Sequence, residues 1–557
     1  MSKQQRQMGA WVLSAALCLS AALAVAQQAA PQAPPSTKIT AAQAKQLFSL
    51  VDELIQFSSS ETGLPVKSTV KRQITSRETV ESYLKKKFEE DESAKRMQQS
   101  EIVLKKFGLL DRDFALKPFL LALLKEQIEA YYDAKTKTVY MMDWVSIEEQ
   151  KPVLAHELTH ALQDQHSDLT QWNDQTPDTV SINYAGDVDH LNRDEMDTAR
   201  TAVVEGQATA VMMDYILKPM GKSLVKNPEL LEAAEQQMNG AESSPVLARA
   251  PLLLSESMLF PYREGLSFEQ DVWMDQGQAA AFTGTLDHPP TSSWEILNPR
   301  EYEQRHAPAV PILPNIHPLV DPLYKPYDIG QIGQLDLRIL AQLFGGEQAA
   351  RDLTPAWDGG IYWAGQQLSA KTEADKSKTN SLALFYLSSW KNAASAQAFA
   401  RLYANELRRK YDRVKLESGD ESAAHSGHSS VYKVFPAPSE SANESSNSTA
   451  PVSTDQEQVY STSEGSVVIT VRGKRVFVAE SFPLDLARKL TALVLDAQGT
   501  GDVKMASMQS VGSTKILGAP GPDSGTWEPL TANLIRFFSN CGVMKAAVEA
   551  EIKAATR

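Results

Sequence analysis

The residues with the clearest chemical potential are His156, Glu157 and His160, which stand in the sequence His-Glu-Leu-Thr-His. On an α-helix, residues four apart lie on the same face, with their β-carbons about 5–6 Å apart. Two imidazoles placed in this way can bind one tetrahedral Zn²⁺ ion. Glu157 follows the first histidine, and from there its carboxylate can act as a general base towards a water molecule on the metal. The spacing therefore predicts a hydrolytic zinc site.

The segment around these residues has the pattern of a helix. Proline is tolerated in the first turn of a helix, and Pro152 precedes the motif. Apolar residues then recur on one face: Val153, Leu154, Leu158, Ala161 and Leu162. We expect this helix to extend from Pro152 to Asp164.

A catalytic zinc ion needs a third protein ligand and an open position for water. His166 is one candidate, because His156, His160 and His166 have the spacing of the metzincin pattern HExxHxxGxxH. Gln163 stands where that pattern has a glycine, which ends the helix and lets the chain turn back. If the helix continued, His166 would lie about 15 Å along its axis from His156, at about 1.5 Å per residue. We therefore keep His166 as the alternative ligand.

Glu205 is the candidate that we favour for the third ligand. It stands in Val-Val-Glu-Gly-Gln-Ala-Thr, within a second helical pattern that extends from Arg193 to Leu217. The small residues Gly206 and Ala208 would let this helix approach the motif helix closely. Gluzincins complete their zinc site with a carboxylate from such a second helix. The sequence therefore predicts a site of two histidines and one glutamate.

A hydrogen-bond donor to the oxyanion of a tetrahedral intermediate is a further requirement of such a site. His288, Tyr262 and Arg263 have suitable side chains. Two of them also have an ordinary explanation, since His288 precedes two prolines in a predicted loop and Tyr262 could be a half-buried aromatic residue. The sequence alone does not choose between these roles.

Two segments resemble the motifs of a known family. Residues 156–165 are His-Glu-Leu-Thr-His-Ala-Leu-Gln-Asp-Gln, and residues 205–209 are Glu-Gly-Gln-Ala-Thr. They are similar to the HExTHALQDQ and EGxAT motifs of a family of exported bacterial gluzincin-type zinc metallopeptidases. Shorter similarities lie at 130–137, 260–265 and 289–292. The resemblance covers the chain from Leu109 to Ala364.

The resemblance implies a zincin-like fold in which Zn²⁺ is bound by His156, His160 and Glu205. The chain departs from the family at residues 292–295, which are Ser-Ser-Trp-Glu where the family has Ser-Thr-Glu-Gln. The family implies little about the substrate.

The N-terminus has the features of a secretory signal peptide. Lys3 and Arg6 precede an apolar segment, Trp11–Val25, and Ala24-Val25-Ala26 matches a small-x-small cleavage site. The apolar segment is short for a membrane-spanning helix. We therefore expect residues 1–26 to be removed, the protein to be exported to the periplasm or the cell exterior, and no stable membrane span to remain.

Composition limits the class of protein. A chain of 557 residues is longer than one hydrophobic core usually organises, which indicates two or three domains. A net charge of −14 gives no support for binding to nucleic acid or to anionic membranes. Of the two cysteines, Cys18 would leave with the signal peptide, so that Cys541 could form no intrachain disulfide.

The predicted fold class is α+β, with a mainly helical zincin-like domain that carries a small β-sheet or hairpin. The expected divisions are a linker at 27–38, a helical region at 39–127, a zincin-like catalytic domain at 128–365, a linker at 366–380, and a small C-terminal α+β domain at 381–557 with a disordered Ser-rich insert at 418–456. The helical region could be a prodomain or an integral part of the catalytic unit.

Two stretches of the predicted catalytic domain are expected to be irregular. Trp172–Asn192 is polar and loop-like, and Pro261–Pro326 is rich in proline. Ahead of the motif helix, a hairpin is predicted around Asp133–Lys137. A peptide substrate could add to its edge as an extra strand, and an ordinary hairpin without a substrate role is equally compatible.

These observations favour an enzyme that hydrolyses peptide or amide bonds in a protein or peptide substrate. The alternative is a catalytically inactive zincin-like module of the cell envelope with a binding or structural role. Glu157 favours the enzyme, because an inactive module has no need of a general base at that position. A purely structural zinc site is disfavoured, since such sites fill all four coordination positions with protein ligands.

Overall fold

The computed structural model describes residues 38–82, 92–127, 130–173, 175, 181–231, 245–418 and 456–499. Several sequence predictions lie outside these residues: the signal peptide at 1–26, most of the linker at 27–38, the interior of the Ser-rich insert at 419–455, and Cys541.

The described part of the chain contains both helices and strands, which confirms α+β as the fold class. The longer helices, numbered in chain order, are α1 (Ala41–Thr62), α2 (Glu92–Phe107), α3 (Leu116–Gln127), α4 (Ile147–Ser167), α5 (Tyr184–Arg193), α6 (Met196–Leu217), α7 (Leu252–Gln276), α8 (Gln334–Leu353), α9 (Ala393–Lys410) and α10 (Leu484–Ala497). The strands are β1 (Lys71–Thr75), β2 (Ala130–Asp133), β3 (Thr138–Met142), β4 (Tyr324–Gln331), β5 (Trp357–Gln367), β6 (Leu382–Trp390), β7 (Val414–Ser418), β8 (Gln456–Thr462), β9 (Gly465–Arg472) and β10 (Arg475–Glu480).

Seven strands form an antiparallel sheet in the order β4-β5-β6-β10-β9-β8-β7. Successive side chains of a strand point to opposite faces. On β6, Leu384 and Tyr386 accordingly join one apolar core, whereas Phe385 between them joins a second. The first core continues through the helices of the N-terminal and central regions, from Leu47 to Val478. One core therefore joins regions that the sequence predicted to be separate domains.

The segment at 366–380, predicted to be a linker, connects two neighbouring strands of this sheet. β5 ends at Gln367, β6 begins at Leu382, and Gln366 pairs with Leu382. The prediction of a linker rested on a Lys/Ser/Thr-rich composition, which is also the composition of a surface loop between paired strands. The predicted catalytic region thus contributes β4 and β5 to the same sheet as the predicted C-terminal domain.

A second, three-stranded sheet has the order β1-β3-β2. β2 and β3 form the predicted hairpin, with Tyr132 opposite Val139. β1 pairs in parallel with the other side of β3, with Ile74 opposite Met141. This sheet lies beside α4, and the side chain of Gln150 on α4 bonds to both the N–H and the C=O of Met142 at 3.0 Å.

The N-terminal helical region contacts both the motif helix α4 and the three-stranded sheet. It supplies β1, and its helix α1 packs on α4, where the Ser58 hydroxyl donates to the carbonyl of Ala155 at 3.0 Å. It also reaches the large sheet, since the Phe107 ring lies edge-on to Tyr362 with ring centroids 5.3 Å apart. The region therefore packs directly against the motif helix and the hairpin before it.

Two stretches predicted to be irregular contain helices. α5 lies within Trp172–Asn192 and extends one residue past it, and its start is capped by Asn183, whose side chain accepts the N–H of Gly186. α7 passes through Pro261 and continues to Gln276. A proline inside a helix costs about 3 kcal/mol. Burial of each large apolar side chain stabilises the folded protein by about 1.5–3 kcal/mol, and α7 buries several such side chains. Among the described residues, no helix has the length and apolarity that a bilayer span requires.

Candidate metal centre

Helix α4 places His156 and His160 on one face. It begins at Ile147, where the Ser146 side chain accepts the N–H of Glu149 and the Glu149 side chain accepts the N–H of Ser146. It ends at Ser167, so it is longer at both ends than the predicted Pro152–Asp164, and Pro152 lies inside it. The two imidazole rings stand edge to face with centroids 4.6 Å apart.

Helix α6 brings Glu205 to the two histidines. The Nε2 atoms of His156 and His160 are 3.0 Å apart, and Glu205 Oε2 lies 3.1 Å from the first and 3.4 Å from the second. Ligand atoms at about 2.0–2.1 Å from a tetrahedral zinc ion are separated by about 3.3 Å. The three atoms thus have the spacing of three corners of such a site. Among the described residues, no other group of His, Cys, Asp or Glu side chains converges in this way.

The chemistry of this group fits a metal ion. His156, His160 and Glu205 are all buried, with 0%, 7% and 1% of their surfaces exposed. A buried carboxylate is costly unless a positive charge faces it. A divalent cation bound by two imidazole nitrogens and one carboxylate oxygen supplies that charge. The cluster can therefore hold a metal ion.

Glu157 is held by strand β2 of the small sheet. Its Oε2 accepts the backbone N–H of Tyr132 at 2.7 Å. Tyr132 is fixed in turn by its hydroxyl, which donates to Asp164 Oδ2 at 2.7 Å. Burial and the Asp164 carboxylate raise the pKa of Tyr132, so that its hydroxyl remains a donor. One outward N–H of the β2 edge is thus already bonded to Glu157, which leaves that group unavailable to an added peptide strand.

The residues after His160 have positions that the sequence did not reveal. Gln163 Oε1 contacts His160 Nδ1 at 2.9 Å. Asp164 accepts Lys137 Nζ in addition to Tyr132 and thereby ties the hairpin to α4. Gln165 accepts the backbone N–H of Lys67 at 2.7 Å, which ties the chain before β1 to the same helix. The contact of Gln163 with His160 joins residues three apart. The roles of Asp164 and Gln165 depend on partners far away in the sequence, and no local pattern signals them.

Gly206 permits a close helix contact, but with a different helix from the one predicted. A β-carbon at Gly206 would lie 2.3 Å from the carbonyl oxygen of Gly265 on α7. A β-carbon at Gly265 would lie 2.2 Å from the carbonyl oxygen of Ala202 on α6. The glycines therefore allow α6 and α7 to touch through their backbones, directly next to Glu205.

His166, the alternative ligand, is not part of the cluster. It lies in the last turn of α4, and its Nε2 is 2.9 Å from Asp287 Oδ1. A metzincin-like third histidine requires the chain to turn back at the position of Gln163. Here the helix continues to Ser167. His166 thus joins the end of α4 to the short helix Thr285–Asp287.

The three candidates for oxyanion stabilisation lie in different surroundings. The Tyr262 ring stacks near His156, with centroids 6.2 Å apart, and is 1% exposed. Arg263 forms a buried ion pair with Glu264 at 2.8 Å; burial raises the pKa of Glu264, but Arg338 and Arg263 outweigh it and lower that pKa. His288 is exposed. The ring of Tyr262 thus lies beside a residue of the cluster, and its role as a hydrogen-bond donor stays a prediction.

Comparison with known proteins adds no assignment. No family model, curated protein or solved structure matches the chain. The geometry of the cluster and the motifs of the sequence are therefore the basis for a functional conclusion.

Proposed function

We propose that the protein is a zinc-dependent peptidase that hydrolyses amide bonds in a protein or peptide substrate. The observation that supports this most strongly is the convergence of His156, His160 and Glu205 on one buried point, with Glu157 next to the first histidine. Two nitrogens and one oxygen form the donor set of catalytic zinc in the His₂Glu class. Three protein ligands leave one coordination position for water.

The donor types favour zinc over other divalent ions. Calcium and magnesium prefer oxygen ligands, whereas two of the three atoms here are imidazole nitrogens. No sulfur ligand belongs to the described cluster. A bound zinc ion supplies Lewis-acid chemistry, which polarises water and the substrate carbonyl.

Glu157 is the residue that moves protons in the proposed reaction. Its carboxylate takes a proton from the water molecule that attacks the carbonyl carbon and delivers it to the nitrogen of the leaving amine. The carbon–nitrogen bond then breaks to give a carboxylic acid and an amine. The N–H of Tyr132 bonds to Oε2 of Glu157, which fixes the orientation of the carboxylate.

The arrangement of elements is compatible with a divergent zincin-like fold of the gluzincin type. A sheet lies beside the motif helix, and a second helix packed on that helix brings the glutamate. We also propose that the reaction takes place outside the cytoplasm, because residues 1–26 have the pattern of a signal peptide.

One observation favours a second candidate function, a metal-binding module without catalysis. The side chains of His156, His160 and Glu205 are 0%, 9% and 2% exposed, so a polypeptide reaches the centre only if the surrounding elements move. A structural role for the metal requires no such movement.

The substitution Glu157→Gln separates these two functions. Gln keeps an oxygen for the Tyr132 N–H but cannot accept a proton. We expect the variant to bind zinc as the wild type does and to hydrolyse an unfolded protein such as denatured casein at least about 100-fold more slowly. Equal hydrolysis by both proteins, or none by a fully zinc-loaded wild type, would contradict a peptidase.

A further inference from the structure

We infer that two glutamines, Gln163 and Gln207, act as positioning residues that set the tautomer of His160 and so present its Nε2 to the metal. This deepens the proposed function and rests on it for the identity of the metal. The two glutamines lie on different helices, α4 and α6, and both side chains are completely buried. Neither is a ligand, and neither was singled out as functional in the sequence.

The direction of each hydrogen bond follows from backbone carbonyls, which can only accept. Gln207 Nε2 lies 2.9 Å from the carbonyl oxygens of both Ala281 and Phe282. The amide nitrogen of Gln207 must therefore face these carbonyls, and its oxygen must face Gln163. Gln163 Nε2 lies 2.8 Å from that oxygen and 3.0 Å from the carbonyl of Val204, a second acceptor. The orientation of both amides is thus determined.

The oriented amide of Gln163 determines the state of His160. Gln163 Oε1 can only accept, and it lies 2.9 Å from His160 Nδ1. The proton of a neutral His160 must then be on Nδ1. Its Nε2 carries the lone pair, which is the form that binds a metal. Each group therefore donates to the next: His160 Nδ1–H to Gln163, and the Gln163 amide to Gln207. The Gln207 amide donates in turn to the carbonyls at 281 and 282.

The same chain of bonds fixes the position of the two ligand helices relative to each other. Gln163 is three residues after His160, and Gln207 is two residues after Glu205. A bond between their amides therefore couples the helix that carries both histidines to the helix that carries the glutamate. The acceptors at Ala281 and Phe282 lie in a π-helical turn, Ala280–Gly284.

A measurement on metal-free protein tests the tautomer directly. Two-bond ¹H–¹⁵N spectra of ¹⁵N-histidine-labelled protein at pH 8, assigned with His160→Gln, distinguish a proton on Nδ1 from one on Nε2. We expect the Nδ1–H form for His160 in wild type, and a loss of this preference in Gln163→Ala. Gln165→Ala is the matched control, because Gln165 lies on the same helix and bonds to Lys67 and Ser68 instead. A proton on Nε2 in wild type would overturn the inference, with or without zinc binding.

The zinc affinity supplies the second readout. We expect Gln163→Ala to raise the dissociation constant for zinc about 10- to 100-fold, measured by competition with a chelator. Gln207→Ala should have a smaller effect that vanishes when Gln163 is already alanine, because Gln207 acts through Gln163. Gln165→Ala should stay within about 2-fold of wild type. Unchanged affinity in Gln163→Ala would contradict the positioning role, whereas absence of zinc in wild type would instead refute the proposed function.

Discussion

At the scale of single residues, burial of a carboxyl group changes its pKa and thereby the pH dependence of stability. Asp214 on α6 is buried, and its Oδ1 accepts the N–H of Leu224 at 2.8 Å. Burial raises the pKa of Asp214 to about 6 from an ordinary 3.8. The folded protein therefore holds this proton more tightly than the unfolded chain does. The tighter binding of the proton contributes fully to the free energy of unfolding below pH about 4. This contribution is lost as the pH rises through about 6.

Asp214→Asn should therefore change the pH dependence of stability. Asparagine keeps an oxygen for Leu224 and carries no charge. We expect the free energy of unfolding of the variant to match wild type near pH 4 and to exceed it by about 2–3 kcal/mol at pH 7.5. Urea denaturation at both pH values measures this. Asp412→Asn, at an exposed position, is the control and should behave as wild type at both pH values, and a destabilised Asp214→Asn at pH 7.5 would contradict the assignment.

At the residue scale, the sequence predicted the contacts that depend on the spacing of residues within one helix. His156 and His160 meet because residues four apart share a helix face. Glu205 could be proposed because a charged residue stood among small and apolar neighbours. The contact of Gln163 with His160 is also local, but its significance depends on Gln207, which is distant in the sequence and which fixes the orientation of the amide.

At the scale of elements, α6 and α7 contact each other through their backbones at Gly206 and Gly265. Because the β-carbon of alanine at position 206 would lie 2.3 Å from the carbonyl of Gly265, Gly206→Ala must push the helices apart. We expect a loss of about 1–3 kcal/mol or more in the free energy of unfolding. Since Glu205 is the neighbouring residue, zinc binding should weaken as well.

Gly284→Ala is the matched control for this prediction. A β-carbon at Gly284 would meet its nearest atom at 3.5 Å, which is an ordinary contact. Thermal denaturation and zinc competition on both variants measure the difference. Equal stability of the two variants would show that the close contact of α6 with α7 has no energetic role.

Elements were predicted well where their patterns are periodic and poorly where their partners are remote. α9, Ala393–Lys410, has apolar residues that recur at helical spacing, a pattern that indicates a helix from sequence alone. β1 was not predicted, because Lys-Arg-Gln-Ile-Thr has no alternating pattern and becomes a strand by pairing with β3. The stretch that begins at Pro261 was predicted to be irregular, but α7 continues through it, because burial outweighs the missing hydrogen bond.

At the scale of the whole molecule, the N-terminal region supports the metal centre from two sides. α1 contacts α4 one residue before His156, through Ser58 and the carbonyl of Ala155. β1 covers one side of β3, whose other neighbour, β2, holds Glu157. Removal of this region would expose the edge of β3 and the apolar face of α4 to water.

A chain that begins at residue 128 should therefore fail to form the metal centre. We expect residues 128–557 to be insoluble or to bind zinc at least about 10-fold more weakly than residues 27–557, which lack only the predicted signal peptide. Expression of both chains and measurement of soluble yield and zinc content test this. A soluble 128–557 chain with a full equivalent of zinc would indicate that the N-terminal region is a removable prodomain.

The strand pairing on the two sides of the segment 366–380 was not predictable from composition. Composition suggested a boundary at 366–380, whereas the pairing of β5 with β6 makes that segment a loop within one sheet. Strand pairing between distant parts of a chain leaves little trace in local composition. The metal centre was predictable to a greater extent because two of its ligands come from one helix.

The zinc content of purified protein tests the central claim most directly. Wild type, Glu205→Ala and His166→Ala are to be compared after equilibration with zinc and removal of excess metal. We expect one equivalent in wild type and in His166→Ala, whose imidazole pairs with Asp287, and a loss of most of it in Glu205→Ala. No zinc in wild type, or loss in His166→Ala with retention in Glu205→Ala, would contradict a metal centre formed by His156, His160 and Glu205.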